Sequence, residues 1–364
     1  MSVFLLLEGT TYACLEHERI ALLQLKPFFN HYDELVDWDK PKGSDCCRWK
    51  GIECNTTTRR LVGLTLNSTR DSSEGWYLNA SLFLPFVGLK RLYLRGNAIA
   101  GCIENEGFEK LSSALGNLEI LDLSVNLLND SVILPLSEFS SLRYLSLAFN
   151  QLEGSSHSNG FRWFSRLLNL GTLDLSWNPL GNDIMFQLSS LSSLKNLSLR
   201  SIDLEGELLH IQGLNNLTNL RYLDLNSNSI ESILNKDETQ LRLANLERLD
   251  LKSRSVGSEL ECIKGMFPHC LGNLTSLREL DISNNQFSGN LSPLQTLTHL
   301  HTSLSKNRLQ IPTSFVPLVN LPNLKFLYGD ENNMVMEPSL HTSIPKFQLN
   351  VISVKVHNIS RTQC

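Results

Sequence analysis

Apolar residues recur along most of this chain at one fixed spacing. The phrase Leu-x-x-Leu-x-Leu-x-x-Asn occupies residues 89–97 and 118–126. It returns with its last position at Asn150, Asn178, Asn228, Asn285 and Asn332. Successive side chains of a strand point to opposite faces, so Leu92 and Leu94 share one face while Tyr93 takes the other. The pattern therefore predicts one short strand in each repeat, apolar on one side and polar on the other.

Some copies of this phrase are imperfect. A first copy occupies residues 61–69, later copies place Ile202, Arg254 and His357 in the Asn position, and the copy that ends at Asn307 is one residue short before its strand. A spacing of about 26 residues with this signature is typical of leucine-rich repeats. Since one repeat cannot bury its own leucines, neighbours must stack into a continuous core. We predict an α/β solenoid, a leucine-rich-repeat horseshoe with a parallel β-sheet on the concave face and a disulfide-pinned N-terminal helical cap.

The Asn that ends each phrase is predicted to belong to the scaffold. The backbone turns inward after each strand and loses contact with water. A carboxamide can both donate to and accept from the backbone groups that are left without partners there. Stacked repeats would align these Asn side chains in a ladder, and we expect no ligand contact from them.

The sequence pattern divides the chain into four segments. Residues 1–13 combine a short apolar run with a small residue at their end, and we interpret them as the remnant of a secretory signal. Residues 14–60 are predicted to form an N-terminal cap with a helix at Glu16–Phe29, which we expect to cover the open edge of the first strand. We predict about twelve repeat strands in residues 61–358 and interpret residues 359–364 as a truncated end. We therefore expect the sequence to be the front part of a longer protein.

Four of the eight cysteines crowd into the cap, at Cys14, Cys46, Cys47 and Cys54. This crowding suits disulfides formed in an oxidising compartment. The paired Cys-x-x-Cys spacing of a zinc site is absent. Because adjacent cysteines cannot easily bridge each other, we predict the pairs Cys14–Cys46 and Cys47–Cys54, and the exchanged pairing stays open.

The remaining cysteines are spread along the repeats. Cys262 and Cys270 lie in one connecting segment, and a local bridge between them is predicted. Cys102 and Cys364 receive no partner from the sequence.

The sequons, together with the cysteines of the cap, point to the secretory pathway and the cell surface or apoplast, and the net charge argues against nucleic acid as a partner. The net charge of −5 gives no basic footprint for nucleic acid. No apolar run approaches the roughly 20 residues of a membrane-spanning helix. Asn-x-Ser/Thr sequons, the acceptors of N-linked glycans, begin at Asn55, Asn67, Asn79, Asn129, Asn196, Asn216, Asn273, Asn290 and Asn358.

No motif indicates an enzyme, a cofactor or a metal site. Gly-rich phosphate loops, His-Glu-x-x-His and Gly-x-Ser-x-Gly are missing, and His299 with His301 makes an unconvincing metal pair. One slot of five repeats carries an acid, at Asp122, Asp174, Asp224, Asp250 and Asp281. We interpret these carboxylates as a hydrated acidic stripe, since catalysis would need a pair with perturbed pKa values.

A ligand surface is predicted on the polar face of the strands. The predicted contact residues are Arg91, Tyr93, Arg95, Tyr144, Phe149, Trp177 and Tyr222, and Phe326 and Tyr328 follow in later repeats. Tyr, Trp and Arg dominate the energetics of interfaces, so this stripe is a candidate for binding a peptide, protein or glycan. The structural alternative is that Phe149 and Trp177, just before the Asn position, pack on the neighbouring repeat.

The cap and the repeats together resemble a known family. The cap reads Cys14-Leu-Glu-His-Glu-Arg-Ile-Ala-Leu-Leu, then Trp38, then Asp45-Cys-Cys-Arg-Trp-Lys-Gly-Ile-Glu-Cys54. Leu-x-Gly follows the Asn position at Leu152 and Leu204, and residues 271–277 read Leu-Gly-Asn-Leu-Thr-Ser-Leu. This combination resembles the extracellular, N-terminal portion of plant leucine-rich-repeat receptor-like proteins. Against that family, we expect the later repeats, the island insertion, the membrane helix and the short cytoplasmic tail to be what separates this sequence from a full-length member.

The resemblance implies a binding function. Such proteins recognise ligands outside the cell, in defence or development, and act through partner receptor kinases in the membrane. A secreted inhibitor of microbial cell-wall hydrolases, similar to polygalacturonase-inhibiting proteins, is the alternative, although those proteins close with a C-terminal cap. A truncated, non-functional fragment is a further alternative. The sequence leaves the ligand, the partner kinase, membrane attachment and the choice between immunity and development open.

Overall fold

The computed structural model describes most of the chain. The described residues are 14–31, 33–39, 44–70, 74–104, 107–154, 164, 166–207, 212–232, 243–253, 262–297, 300–312, 324–335 and 350–355. Several residues named in the sequence analysis lie outside these ranges: the predicted signal remnant (1–13), the end segment 359–364, Arg254, His299, His357, Asn358 and the side chain of Cys270. The chain divides into two compact units, Met1–Gln151 and Leu152–Cys364.

The unit Met1–Gln151 holds the cap and the first repeats. Its α-helices are α1 (Glu16–Phe29), α2 (Phe108–Ala114) and α3 (Ile133–Ser137), with 3₁₀ turns at Val36–Asp39, Cys46–Arg48, Ala80–Phe83 and Asp130–Val132. Its strands are β1 (Ile52–Cys54), β2 (Leu61–Thr65), β3 (Trp76–Leu78), β4 (Arg91–Tyr93), β5 (Ile99–Cys102), β6 (Ile120–Asp122) and β7 (Tyr144–Ser146). Strands β2, β4, β6 and β7 form a parallel sheet, and β3 pairs with β5.

The cap covers the first repeat as predicted. Strand β1 pairs antiparallel with β2, so the edge of β2 is not left open. Helix α1 has the predicted bounds, carries Glu16 and Glu18 in its first turn, where acids favour the helix dipole, and contains Pro27 near its end. The buried Glu18 side chain accepts a hydrogen bond from the Leu61 amide at 2.9 Å, which ties the helix to β2.

Two disulfides hold the cap together. Cys14 bridges Cys46 and Cys47 bridges Cys54, each with Cα atoms 5.5 Å apart. This confirms the predicted pairing over the exchanged one. Cys262 is also disulfide-bonded, but its bridge to Cys270 stays a prediction because that partner's side chain lies outside the described residues.

The unit Leu152–Cys364 contains further repeats, whose strands alternate with short helical turns. Its α-helix is α4 (Ile184–Leu188), with 3₁₀ turns at Gln212–Asn216, His269–Asn273 and Ser292–Thr296. The principal sheet contains β8 (Thr172–Asp174), β9 (Asn196–Ser198), β11 (Tyr222–Asp224), β13 (Arg248–Asp250), β15 (Glu279–Asp281), β17 (His301–Ser303), β19 (Phe326–Tyr328) and β21 (Val351–Ser353). The remaining strands are β10 (Glu205–Glu207), β12 (Ser229–Ser232), β14 (Lys264–Met266), β16 (Gln286–Asn290), β18 (Arg308–Pro312) and β20 (Asn333–Val335).

All described pairings of the principal sheet in this unit are parallel and in register. A second sheet joins β14, β16, β18 and β20, and β10 pairs with β12. The repeat that is one residue short keeps its register, since His301 stands opposite Glu279 and Phe326. Among the described helices of the whole chain, none combines the length and the apolar character that crossing a bilayer requires.

The Asn ladder is confirmed in both units. In the first, the Asn126 amide nitrogen donates to the carbonyls of Leu94 and Leu123 at 3.1 and 2.9 Å. In the second, Asn285 donates to Leu251 and Ile282, each at 2.9 Å. Their side-chain oxygens accept from backbone amides of the preceding turn. Each carboxamide is therefore fully used by the backbone, as a scaffold role requires.

Candidate functional site

The solvent-facing side of the principal sheet in Leu152–Cys364 carries two rows of side chains. In each three-residue strand the middle residue points into the core, and the first and third point to solvent. The first row is Thr172, Asn196, Tyr222, Arg248, Glu279, His301, Phe326 and Val351; the third row is Asp174, Ser198, Asp224, Asp250, Asp281, Ser303, Tyr328 and Ser353. The middle residues are buried leucines at β11, β13, β15 and β19, and Thr302 at β17.

A cavity of about 410 Å³ opens on these rows. Its lining spans four strands and comprises Arg248, Leu249, Glu279, Leu280, Asp281, His301, Thr302, Ser303, Phe326 and Tyr328. The rings of His301 and Phe326 meet edge to face with centroids 4.7 Å apart, and Tyr328 is 40% exposed. A concave pocket with aromatic walls and a few polar groups is the usual form of a ligand site.

Arg248, which lines this cavity, forms an ion pair within the protein. Arg248 lies 3.1 Å from the Glu279 carboxylate and 5.3 Å from the centroid of the Tyr222 ring. Asp281, by contrast, accepts one backbone hydrogen bond at 2.9 Å, from the Ser283 amide. Its second carboxylate oxygen has no hydrogen-bond partner within the described part of the chain. The cavity therefore offers the Asp281 carboxylate as an anionic acceptor.

The acidic row is less hydrated than the sequence suggested. Its aspartates in this unit accept a hydrogen bond from the amide two residues later, as in Asp174 with Ser176 at 3.0 Å and Asp250 with Lys252 at 3.0 Å. The expectation of a hydrated stripe is wrong at Asp224, which is buried and 9% exposed. Asp250 is a single acid with a perturbed pKa. Burial there raises the pKa to about 6, and the neighbouring carboxylates of Asp224 and Asp281 contribute to the rise.

The predicted contact residues of the first unit are placed as follows. Arg91 pairs with Glu53 of the cap strand at 2.5 Å and stands in register with Ile120 and Tyr144. Tyr93 lies in the other row, opposite Asp122. Tyr93 and Tyr144 therefore stand in different rows of the sheet, rather than in the single stripe that the sequence predicted.

Arg95 and Phe149 follow their strands. Arg95 is exposed and donates to the Ser124 hydroxyl at 3.4 Å. Phe149 adopts a left-handed backbone with φ of 55° and is 46% exposed. Most residue types avoid positive φ, so the turn accepts an unfavourable backbone at an exposed aromatic.

Two predicted contact residues belong to the second unit. Trp177 also has a left-handed backbone, φ 60°, and the Arg200 guanidinium lies 5.5 Å from its ring centroid. Tyr222 stands in the first row and donates to the Asp224 carboxylate at 3.3 Å. Burial and the Asp224 charge raise the pKa of Tyr222 to about 12, so its hydroxyl stays a donor.

Sequence reasoning missed the grouping around the cavity. It named Phe326 and Tyr328 only as later aromatics, treated His301 as a weak metal candidate, and placed Asp281 in a hydrated stripe. Strand register could have shown this grouping. In a parallel sheet the first residues of β15, β17 and β19 lie side by side, and so do their third residues. The missing leucine at Thr302 obscured that register in the sequence.

The predicted glycosylation sites differ in exposure. Asn55, Asn67, Asn129, Asn216, Asn273 and Asn290 are exposed, and Asn79 and Asn196 are half-buried. Asn196 lies in the first row, and its amide donates to the Thr172 hydroxyl at 2.9 Å. Glycan attachment at any of these positions, and at Asn358, remains a prediction.

Sequence comparison supports the family resemblance. The family described as leucine rich repeat N-terminal domain matches residues 15–55, and the leucine rich repeat family matches residues 276–297. The chain is 39% identical over 173 residues to Receptor-like protein 9a of Arabidopsis thaliana, a match covering 47% of this chain and 18% of that protein. It is 32% identical over 243 residues to Cuscuta receptor 1 of Solanum lycopersicum, covering 57% and 22%. The matched region spans about a fifth of the length of these relatives.

Solved structures share the fold. The Arabidopsis receptor kinase HAESA, in complex with the peptide hormone IDA and the co-receptor SERK1, aligns with a TM-score of 0.63 at 24% identity, covering 88% of this chain and 54% of that one. A plant ice-binding protein aligns with a TM-score of 0.62 at 25% identity, covering 89% and 96%. The chain is thus a capped leucine-rich-repeat protein whose sequence is similar to plant receptor-like proteins.

Proposed function

We propose that this chain is the extracellular ligand-recognition part of a plant receptor-like protein, and that it binds a peptide on the solvent-facing side of its Leu152–Cys364 sheet. The observation that carries the proposal is the cavity on β13, β15, β17 and β19, where His301, Phe326 and Tyr328 stand among charged side chains. Aromatic residues grouped in this way form the energetic centre of interfaces.

The strand geometry favours an extended ligand. Neighbouring strands of a sheet lie about 4.8 Å apart, so the two rows present a new pair of side chains at each short step. An extended peptide that crosses the strands can place successive side chains against successive repeats. A receptor kinase of the same fold is seen with a peptide hormone, which illustrates this use of the fold; the assignment here rests on the chain's own surface.

The wider role is also part of the proposal, and the relatives of this chain support it. Receptor-like proteins are the curated relatives of this chain, and we propose a partner receptor kinase in the plasma membrane as the route to signalling. The sites of action are the secretory pathway and the cell surface or apoplast. Binding, rather than catalysis, is the proposed activity.

The test is a selection of ligands for the intact chain. A library of random short peptides is displayed against the full chain secreted from plant cells, and recovered peptides are measured against variants. We expect His301→Ala and Tyr328→Ala to abolish or strongly weaken their binding. Met266→Ala serves as the matched control, since Met266 is 60% exposed on β14 of the second sheet.

Two results would contradict the proposal. The first is that no peptide is enriched against the folded, disulfide-bonded chain. The second is that the enriched peptides lose affinity for Met266→Ala but bind both cavity variants normally, which would place recognition on the other sheet.

A further inference from the structure

We infer that the cavity on β13, β15, β17 and β19 receives the side chain of an arginine residue of the bound peptide. This inference rests on the proposed function and names the chemistry that the site recognises. Its ground is the combination of aromatic side chains lining an open cavity with a carboxylate oxygen that the described part of the protein leaves uncommitted.

The walls of the cavity suit a flat cation. His301 and Phe326 lie edge to face at 4.7 Å, and Tyr328 lines the same space from the third position of β19. A guanidinium group is planar and weakly hydrated, and it stacks on aromatic faces more readily than an ammonium does. The three methylenes of an arginine stem pack on the same rings.

The charges of the site favour a positive group over a negative or neutral one. Arg248 is paired with Glu279 at 3.1 Å, so the charges of these two lining residues offset each other. Asp281 uses one oxygen for the Ser283 amide and contributes to the cavity lining. Asp250 is its register neighbour on β13, and Asp224 follows on β11.

The arrangement also explains an otherwise unfavourable feature of the fold. Three carboxylates stand side by side on β11, β13 and β15, and burial with mutual repulsion raises the pKa of Asp250. Serine occupies the same slot at Ser198 and Ser303, so the fold does not require an acid there. A cation bound beside Asp281 would relieve that repulsion, and a paired, hydrogen-bonded guanidinium is the group best suited to do so.

The first experiment uses a minimal probe on the full chain. Binding of N-acetyl-arginine amide is measured by saturation-transfer NMR against N-acetyl-citrulline amide, which has the same shape without the charge. We expect transfer to the arginine methylenes and at least a tenfold weaker response from the citrulline probe. Equal responses from the two probes, or none from either, would overturn the inference.

Variants locate the probe in the cavity. Asp281→Asn keeps the acceptor for the Ser283 amide and removes the charge, and we expect it to weaken arginine binding at least fivefold. Asp174→Asn is the matched control, because Asp174 makes the same backbone bond in the same row but does not line the cavity. Equal losses in both variants would overturn the inference.

A second variant tests the cavity at an exposed residue, where a substitution is not expected to disturb folding. Tyr328→Ala removes one wall from an exposed position and should weaken the arginine probe at least threefold while the thermal unfolding curve is unchanged. Unaltered binding in this variant would place the probe elsewhere and contradict the inference.

The outcomes separate this inference from the proposed function. Selected peptides that bind at His301 and Tyr328 without containing arginine would overturn the arginine assignment and leave peptide recognition intact. Binding of a neutral oligosaccharide such as cellotetraose at these residues, with no peptide recovered, would overturn both. Arginine-rich peptides that depend on Asp281 would support both.

Discussion

The Asn ladder and the solvent-facing rows of Leu152–Cys364 belong to the same repeats yet differ in kind. Inside, Asn285 and Asn332 each donate to a carbonyl of the preceding repeat at 2.9 Å, so the same contact returns along the unit. Outside, the residues in register change from Glu279 to His301 to Phe326. The interior repeats because stacking demands it, whereas the exterior is free to vary. Variation on a repeated frame is what recognition requires.

The largest expected effect comes from breaking the ladder. Asn285→Ala leaves the Leu251 carbonyl and the Ile263 amide without their partner, whereas the Ile282 carbonyl keeps the hydrogen bond from Asn307. We expect the free energy of unfolding to fall by about 1–3 kcal/mol, the penalty of unsatisfied buried groups. Chemical denaturation measures it, and an unchanged midpoint would show that the ladder is not structural. Exposed Asn245→Ala is the control.

On the solvent-facing rows we expect a substitution to change ligand affinity and to leave stability unchanged. Tyr328→Ala should reduce the affinity of a selected peptide about tenfold, equivalent to about 1.4 kcal/mol, since an exposed aromatic contributes more to an interface than to the fold. Its melting temperature should stay within error of the unmodified chain. Calorimetric titration and thermal unfolding are run on the same preparations. A loss of stability that matches the loss of affinity would make Tyr328 part of the scaffold and erase the comparison.

Asp250 stands in the third row of the sheet but is partly buried. The pH dependence of stability tests the free-energy cost of burying its carboxylate. Its pKa of about 6 in the folded chain exceeds the ordinary value of 3.8. Between these values the folded state binds more protons, so stability falls as pH rises from about 4 to 6. Asp250→Asn should therefore melt higher than the unmodified chain at pH 7 and equally near pH 4. Asp224, Asp281 and Arg248 face this position in both chains, so Asp250 is the group that differs between them.

Failure of that prediction has a clear form. An Asp250→Asn chain that melts lower at pH 7 would mean that the charge of Asp250 stabilises the row. Asp174→Asn provides the comparison, as it changes the same slot and retains the same backbone bond.

The smallest effect is expected at Trp177. Its left-handed backbone, φ 60°, suits Asn better than Trp, since Asn tolerates that conformation. Trp177→Asn should relieve the strain of the left-handed backbone, and this gain should offset the lost contact between the ring and Arg200. The free energy of unfolding should therefore change by less than about 0.5 kcal/mol. A larger loss would favour packing on the neighbouring repeat as the role of this tryptophan.

The interior was readable from the sequence because one constraint recurs. Most strands bury a leucine and most turns must satisfy the same backbone groups, so spacing alone assigned Asn126 and Asn285 to the scaffold. The cap was readable for a related reason, since neighbouring cysteines restrict each other's partners. That restriction left two pairings, and the bridges Cys14–Cys46 and Cys47–Cys54 are the predicted one.

The candidate site was only partly readable because its residues come from different repeats. Glu279, His301 and Phe326 are far apart in the chain and meet only through strand register. The burial of Asp250 likewise depends on what its neighbours on β11 and β15 shield from water. Neither property is local, so spacing within one repeat could not reveal it.

The most direct test of peptide recognition on this sheet is a crystal structure of the full chain with a peptide recovered by display. We expect a peptide that crosses β15, β17 and β19 on their solvent-facing side, with an arginine side chain between His301, Tyr328 and Asp281. A peptide seated on the second sheet, against Met266, or one that leaves the cavity empty, would contradict this expectation.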